Sequence, residues 1–348
     1  GSPFADRIKN INLSSSTFME RIMYYKDALK IIGDNPLLGI GAGGWASVHP
    51  SYQSGFYAAK YVHSSVLQRL LDNGAAGALI TTAMAAFYIK CYIEARKSDR
   101  KYANILLIIS TSIATHSLFD MDFEIPLTGL ILYADICAMA ALSNKKKSIK
   151  IKKLLKYAFA LAASAALFFT IMLYSSTLFY LKGYSEFSAA NFEKASEKLQ
   201  QSIDIFNDNT SAYYLLGQSI RSGGGSFDFG IEAFDNAIVR DKYNPKHYSA
   251  KAVYACEMHD ITLAENTVKQ LISLQPLTVG HYELLSDILL LSGSKQDLET
   301  VIKIPVLLKE AEDKVCSEAY VLKPQMSLKP THKIIENIKT AEELIKKR

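Results

Sequence analysis

The chain has 348 residues, of which 49% are hydrophobic, and its formal net charge is +5. This average conceals an asymmetry, because residues 74–182 are mostly apolar whereas residues 183–348 have the composition of a soluble helical domain. The basic residues gather in short clusters beside apolar runs, which indicates membrane topology and argues against nucleic acid as a partner. The four scattered cysteines form no CxxC motif, so the sequence predicts no metal site.

The first 73 residues precede the first apolar run. The chain opens with GSPF and has no initiating Met. We therefore expect the sequence to be a fragment of a longer protein. An amphipathic helix that carries Arg21 leads through a turn at Pro36 to a glycine-rich loop, GIGAGG at 39–44, and then to a helix that starts at His63. We predict that residues 1–73 form a loop with amphipathic helices and the active-site residues, next to the membrane.

The glycine-rich loop formally matches GxGxxG through Gly39, Gly41 and Gly44. The dinucleotide-binding fingerprint needs a strand before it in a βαβ unit, and none is predicted here, so we reject that interpretation. A tight loop whose backbone N–H groups approach a phosphate fits better, with Gly41 and Gly43 as substrate-binding residues. The aromatic residues that follow are predicted at the membrane interface, with stacking on sugar rings as the alternative. They are Trp45, Tyr52, Tyr57 and Tyr61.

Four apolar runs are long enough to cross a membrane, since a hydrocarbon core needs roughly 17–25 apolar helical residues. The second and fourth contain no Asp, Glu, Lys or Arg, whereas buried core helices, the alternative, normally have a polar stripe. Asp135 interrupts the third run and is expected to pair with an upstream helix outside this sequence. The four runs are residues 74–93, 103–119, 125–142 and 157–181.

Basic residues concentrate in the loops at 94–102 and 143–153, whereas the loop between the second and third runs, DMDFE at 120–124, has none. By the positive-inside rule, the two basic loops face the cytoplasm. Residues 1–73, the DMDFE loop and residues 183–348 then lie outside the cytoplasm, in a multi-pass membrane protein. Because residues 1–73 start outside, an earlier membrane span is expected upstream.

Residues 183–295 contain a repeat close to the 34-residue period of tetratricopeptide (TPR) repeats. Gly183 is followed twelve residues later by Ala195, and Gly217 and Ala233 take similar places in the next unit. We therefore predict an all-α chain: polytopic membrane helices over 74–182, followed by a TPR-like α-solenoid over 183–348. A generic helical bundle is the alternative, and the fourth run is predicted to continue into the first repeat helix.

His63 is the main catalytic candidate. It lies at the start of a helix beside the bilayer, where a neutral imidazole can accept or orient the proton of a sugar hydroxyl. A structural interfacial histidine is the alternative. His116 is a candidate for supporting substrate contacts, and the DMD motif at 120–122 is interpreted as a solvated turn, with substrate contacts as the alternative.

Arginines near His63 suit a diphosphate, since a guanidinium forms bidentate charge-assisted hydrogen bonds with phosphate oxygens. Arg21 is the first candidate and is assigned a catalytic role. Arg69 is a substrate-binding candidate, and Arg7 is a weaker third. Each could instead anchor the chain to lipid headgroups.

As an ordered set, these residues resemble the O-antigen ligase / Wzy-type polymerase family over residues 1–145. The resemblance implies a multi-span, metal-independent glycosyltransferase without a cofactor. Such enzymes move a glycan from an undecaprenyl diphosphate carrier to an acceptor, on the outer face of the bacterial cytoplasmic membrane. It places His63 at the family's essential histidine and Arg21 among its diphosphate-binding arginines, with further arginines upstream, so this fragment is expected to be inactive alone. The set comprises Arg21, NPLLGIGAGGW (35–45), His63-Ser64, Gly74 and HSLFD (116–120).

The implied reaction is a direct displacement, in which an acceptor hydroxyl attacks the anomeric carbon and the arginines stabilise the departing diphosphate. The implied partners are the carrier-linked glycan, an acceptor that is a lipid, a protein or a polysaccharide, membrane lipids, and a protein bound by the repeats. The alternative function is a non-enzymatic, membrane-anchored TPR scaffold of the cell envelope. That alternative leaves the ordered Arg, Gly and His pattern unused.

Overall fold

A computed structural model describes residues 16–57, 59–143, 153–315 and 328–347. Within these ranges every regular element is a helix, so the all-α prediction is confirmed. Their contacts separate the described residues into two compact units, which divide between residues 143 and 153. Arg7 lies outside the described residues. The predicted domain boundaries at 73/74 and 182/183 stay predictions.

The first unit contains five α-helices and two 3₁₀ turns among its described residues. Side chains fix the starts of the helices at Ser65 and Arg100: Ser64 Oγ accepts the Leu67 N–H at 3.4 Å, and Asp99 Oδ1 accepts the Tyr102 N–H at 3.2 Å. These are N-caps, which satisfy backbone donors that a helix start leaves free. The helices are α1 (Ser16–Asp34), α2 (Trp45–Val48), α3 (Ser65–Ser98), α4 (Arg100–His116) and α5 (Pro126–Ser143), and the 3₁₀ turns are His49–Ser51 and Asp122–Glu124.

Helix α3 is broken at Gly74, whose backbone has φ 57° and ψ −154°. The loop after α1 repairs the break. The carbonyls of Leu71 and Asp72 accept the N–H groups of Ile40 and Gly41 at 2.7 and 3.1 Å. In return, the N–H groups on the other side of the break donate back to the loop: Ala75 N–H to Pro36 O at 2.8 Å, and Ala76 N–H to Leu37 O at 3.1 Å. The loop therefore replaces one interrupted turn of the helical hydrogen-bond ladder.

Helices α3, α4 and α5 meet at Asp135, a buried carboxylate midway along α5. Tyr88 of α3 donates to its Oδ2 at 2.7 Å, and the Ser110 hydroxyl of α4 donates to the same oxygen. The sequence predicted that Asp135 pairs with an upstream helix. Within the described residues it joins three helices of its own unit, and its Oδ1 has no hydrogen-bond partner there. Pairing with a helix outside this sequence stays a prediction.

Three described helices are long and apolar enough to cross a membrane: Ser65–Ser98, Pro126–Ser143 and Lys156–Ser188. They coincide with three of the four predicted runs. The expected second span forms α4, which has 17 residues and is not among these three. The reason is that α4 ends at His116, so the last three residues of the predicted run lie in turns.

The second unit begins with the long helix α6 (Lys153–Ser188), which contains the fourth predicted run and the first repeat helix without interruption. Successive helices then form antiparallel pairs joined by short turns. Small residues allow their close approach: a Cβ on Gly183 would lie 2.7 Å from Leu199 Cγ, and one on Gly217 would lie 2.8 Å from Phe234 Cε1. Gly183 and Gly217 are one 34-residue repeat apart, so the TPR-like solenoid is confirmed.

One turn of the array is lengthened by SGGGS (222–226), where Gly224 has a left-handed φ of 69° and terminates a helix. At the other end of the array, the last helix covers the fourth pair: Asn337 Nδ2 donates to Ser286 Oγ at 2.7 Å and to Asp287 Oδ1 at 2.8 Å. The repeat helices are α7 (Phe192–Ile205), α8 (Thr210–Gly223), α9 (Phe227–Arg240), α10 (Pro245–Glu257), α11 (Ile261–Leu274), α12 (Val279–Ser292) and α13 (Lys295–Val315), and the covering helix is α14 (His332–Lys346).

Candidate functional site

His63 lies between the loop that precedes α3 and the first turn of that helix. Its backbone has a φ of 54°, in the left-handed region that non-glycine residues rarely adopt. Two contacts hold this conformation: the Tyr25 hydroxyl of α1 donates to the His63 carbonyl at 2.8 Å, and Ser64 caps α3. Backbone strain of this kind is concentrated at functional sites and persists only where surrounding contacts fix it.

The His63 ring faces a carboxylate. Its Nδ1 is buried and neither accepts nor donates a hydrogen bond among the described residues. This nitrogen lies 3.7 Å from Asp120 Oδ1. The ring of Tyr24 stacks against the imidazole, with centroids 5.9 Å apart and planes inclined by 25°. The imidazole is therefore oriented by an aromatic face on one side and is next to an anion on another.

The loop that carries Asp120 is fixed at the carbonyls of residues 117, 119 and 120. The Ser65 N–H donates to Ser117 O at 2.9 Å and to Asp120 O at 3.1 Å, and the Ser65 hydroxyl also donates to Asp120 O at 3.0 Å. From α1, Arg21 Nη1 donates to Phe119 O at 3.1 Å. The structure thus brings together Arg21, His63 and Asp120, which are far apart in the sequence. We name these three residues the Arg21–His63–Asp120 cluster.

The charge of Asp120 is favoured by its surroundings. The Met121 N–H bonds to the carboxylate at 2.8 Å, and this bond, with smaller contributions from Arg21 and His63, lowers the pKa of Asp120. The carboxylate therefore stays ionised at neutral pH. By contrast, burial and the neighbouring Glu20 raise the pKa of the Tyr24 hydroxyl to about 12, so this ring stays neutral beside His63.

His116 is the last residue of α4, just before the loop that carries Asp120. Its Nδ1 contacts both carboxylate oxygens of Asp122, at 2.9 and 2.7 Å, and its side chain is 67% exposed. The two acids of the DMD motif thus each face a different histidine. The motif is a half-exposed turn, as interpreted from the sequence, but Ser65 fixes its backbone at Asp120 O. Whether His116 contacts a substrate stays a prediction.

A second polar centre of the same unit is formed around Asp27 of α1. This fully buried carboxylate accepts the Ser54 N–H at 2.9 Å and the Tyr57 hydroxyl at 2.8 Å. Trp45 is also fully buried and donates from Nε1 to Ala59 O at 2.9 Å. The prediction that Trp45 and Tyr57 lie at a membrane interface is wrong, because both form the core of this unit. Tyr61 is half-buried, and Lys60 Nζ lies 5.2 Å from its ring centroid.

The glycine-rich loop has a structural contact at each glycine predicted to bind phosphate. The Gly41 N–H donates to Asp72 O, in the repair of the α3 break, and the Gly43 N–H is close enough to the Asp72 carboxylate to favour its charge. These two donors are therefore directed at the protein, which does not favour a backbone phosphate cradle. Substrate binding by Gly41 and Gly43 stays a prediction.

Arg69 lies at the end of a groove between α3 and α5, with a volume of about 260 Å³. Its guanidinium lies 5.9 Å from the ring centroid of Phe123. The groove continues along the apolar face of α3 past Ile80 and Met84. The groove thus has the cationic Arg69 at one end, near the start of the predicted spanning segment, and apolar side chains along its length. This arrangement suits an anionic lipid. The structure does not place Arg69 in contact with His63.

Four residues of the site were not singled out from the sequence, among them Tyr24, whose ring stacks on His63. Tyr25 and Ser65 fix backbone, so only their contacts reveal them, and Asp27 resembles any acid on a polar helix face. Asp120 was noticed but assigned to a turn. The predicted placement of the DMDFE loop on the same side of the membrane as His63 was the signal that could have found it. Within the described ranges there is no group of three or more His, Cys, Asp or Glu residues that could hold a metal ion.

Comparisons with known proteins identify no family. No family model matches the sequence, and no curated protein matches it either. Among solved structures, "Crystal structure of MamA protein" is 17% identical, covers 50% of this chain and 93% of that chain, and has a TM-score of 0.34. "Crystal Structure of the Yeast Tom70" is 13% identical, covers 97% of this chain and 76% of that chain, and has a TM-score of 0.26. The repeat assignment therefore rests on the helix pairs themselves, and the O-antigen ligase / Wzy resemblance stays an interpretation of the quoted residues.

Proposed function

We propose that the chain is part of a membrane glycosyltransferase that moves a glycan from an undecaprenyl diphosphate carrier to an acceptor. The observation that carries this proposal is the Arg21–His63–Asp120 cluster, in which a histidine nitrogen faces an ionised carboxylate and has no hydrogen bond from the described part of the chain. The cluster belongs to the unit that contains two of the helices long and apolar enough to cross a membrane. We place it on the outer face of a bacterial cytoplasmic membrane, as the basic loops and the resemblance suggest.

In this mechanism, His63 binds the acceptor hydroxyl and takes its proton as the oxygen attacks the anomeric carbon. With Nδ1 turned toward Asp120, the other ring nitrogen, Nε2, faces the acceptor. Asp120 stabilises the imidazolium that forms, because an anion at 3.7 Å favours a positive charge. The left-handed backbone of His63 and the stacked ring of Tyr24 keep the imidazole in one orientation.

Arginines then stabilise the departing diphosphate. One N–H of Arg21 is bonded to Phe119 O, but a guanidinium has five N–H donors, so the others can bind phosphate oxygens. Arg69 would bind the carrier lipid at the end of its groove. Since the family implied by the resemblance uses further arginines, the proposal requires upstream residues beyond this sequence.

The test is a transfer assay in membranes that contain the full-length protein, with carrier-linked and acceptor-linked glycan followed together. His63→Ala should abolish transfer, with carrier-linked glycan accumulating at an unchanged protein level. His332→Ala is the matched control, because His332 is 88% exposed and belongs to the covering helix of the second unit. Unchanged transfer by His63→Ala would refute the proposal.

A membrane-anchored repeat scaffold is the second candidate, and it needs fewer assumptions because the repeat array is observed directly. The first helices of three successive pairs line a cleft of about 490 Å³. Its lining mixes apolar surface with polar side chains, among them Gln218, Lys246 and Ser249, which suits a protein segment of mixed character. If the chain is only a scaffold, Lys246→Glu will prevent crosslinking of a partner protein to the cleft. His63→Ala will then change neither glycan transfer nor partner binding.

A further inference from the structure

The loop between α1 and α2 carries two adjacent leucines at its tip. Leu37 is 72% exposed and Leu38 is 76% exposed, and Pro36 beside them is also exposed. Single exposed leucines are common on protein surfaces and need no explanation. The informative feature of this pair is its fixed position along α3.

The tip is fixed to α3 at a defined level. The carbonyls of Pro36 and Leu37 accept the N–H groups of Ala75 and Ala76 at 2.8 and 3.1 Å. The backbones are in direct contact here, because a Cβ added to Gly74 would lie 2.5 Å from the Leu37 carbonyl. The tip cannot leave α3 without exposing these N–H groups unpaired. The leucine pair therefore stays at the level of residues 75–76.

That level coincides with the edge of the hydrocarbon core. A core of about 30 Å corresponds to about 20 helical residues at 1.5 Å per residue. The charged end of α3 begins at Glu94 and continues with Arg96 and Lys97. Counting about 20 residues back from Glu94 reaches Gly74. Lys90 lies one turn earlier, but a lysine can extend its ammonium group to the interface.

The geometry points to a membrane-inserting tip: Leu37 and Leu38 enter the lipid hydrocarbon beside the first turn of the spanning segment of α3. The occupant of the exposed apolar surface is thus the acyl region of the bilayer. The backbone bonds to α3 make the inserted tip rigid, so it sets the depth of the whole loop and, through α1, of the Arg21–His63–Asp120 cluster. This inference requires that α3 spans the membrane and does not depend on glycan transfer.

The experiment uses the tryptophan content of the chain. Its one tryptophan, Trp45, is fully buried and bonded to Ala59 O, so its emission reports on the fold of this unit. We would prepare Leu38→Trp and Leu37→Trp in the full chain, in phosphatidylcholine vesicles with or without bromine on the acyl chains. The emission added by each new tryptophan should be blue-shifted and quenched by the brominated lipid, and iodide on both sides of the bilayer should leave it unchanged.

Val239→Trp is the matched control, because Val239 is 78% exposed on α9 of the repeats. Its emission should be quenched by iodide and not by brominated lipid. An unchanged helical circular dichroism spectrum would show that the Leu38→Trp variant has folded. Quenching of Leu38→Trp by iodide alone would place the tip in water and overturn the proposal. Emission that neither reagent quenches would place the tip in a protein contact and would also overturn it.

Discussion

His63 Nδ1 lies 3.7 Å from Asp120 Oδ1, and among the described residues no hydrogen bond reaches that nitrogen. The distance is too long for a hydrogen bond, yet short enough for the carboxylate to stabilise a positive imidazole. A histidine with only a structural role would normally have its buried nitrogen bonded. This pair is therefore where a catalytic role for His63 can be tested against a structural one. An unbonded nitrogen does not decide the question alone, because both ring nitrogens of the buried His247 in the repeats also have no hydrogen-bond partner among the described residues.

The first prediction concerns that pair. Because general base catalysis contributes typically 10²–10⁴-fold, His63→Ala should lower kcat for glycan transfer by about that factor. Asp120→Asn keeps the shape of the side chain and removes its charge, so its loss should be smaller than that of His63→Ala. The double variant should be no worse than His63→Ala, since Asp120 acts through the histidine. Independent, multiplying losses in steady-state transfer assays would contradict the assignment.

The second prediction concerns Arg21, which links α1 to the loop of Asp120. Arg21→Lys keeps the charge but loses the planar donor set, so binding of a diphosphate should weaken. We expect a transfer rate lowered about tenfold or more, together with faster amide exchange in the loop 117–121. Arg100→Lys at the exposed start of α4 is the matched control. If amide exchange rises while transfer is unchanged, Arg21 has a structural role only.

The third prediction concerns the repair of the α3 break. Gly39 has a φ of 71°, and a Cβ there would lie 2.2 Å from Leu71 O. Gly39→Ala should therefore destabilise the first unit by about 2 kcal/mol or more, because a left-handed alanine alone costs roughly 1–2 kcal/mol. Amide exchange at Ala75 and Ala76, measured by mass spectrometry, should accelerate with it.

Gly33→Ala is the control for this substitution. Gly33 lies in the last turn of α1, and no atom lies within 4 Å of an added Cβ. Because alanine is the better helix former, this variant should be neutral or stabilise the unit by up to about 1 kcal/mol. Equal effects of the two substitutions would show that the loop does not depend on close contact at Gly39.

The sequence predicts the helices better than it predicts the site. Period and composition reveal apolar runs and 34-residue repeats, because burial in lipid or between paired helices constrains every turn. Trp45 was misassigned because an aromatic residue beside a membrane span looks the same whether it faces lipid or a small core. The Asp120 contact was missed because it depends on bonds from Ser65 and Arg21 to backbone carbonyls, which leave no periodic trace. The same holds for Asp135, whose partners lie 47 and 25 residues away.

The last prediction concerns His281 of α12, which is buried in the repeat array. Its Nε2 lies 3.3 Å from Gln275 Oε1, and burial lowers its pKa to about 4 from an ordinary value of 6.5. The unfolded chain therefore binds a proton below pH 6.5 that the folded repeats bind only near pH 4. The free energy of unfolding should then fall as the pH falls through this window, by up to about 3 kcal/mol at its lower end.

The measurement is thermal unfolding of the full chain in detergent at several pH values between 7 and 4, followed by helical circular dichroism. His281→Gln cannot ionise and should flatten this dependence, leaving a smaller slope from His247, whose pKa burial also lowers. His259→Gln, at an exposed position between α10 and α11, should retain the full slope of the unmodified chain. If His281→Gln and the unmodified chain lose stability equally on acidification, the buried histidine is not the cause. In that case the proton taken up by His281 does not contribute to the difference in protons bound by the folded and the unfolded chain.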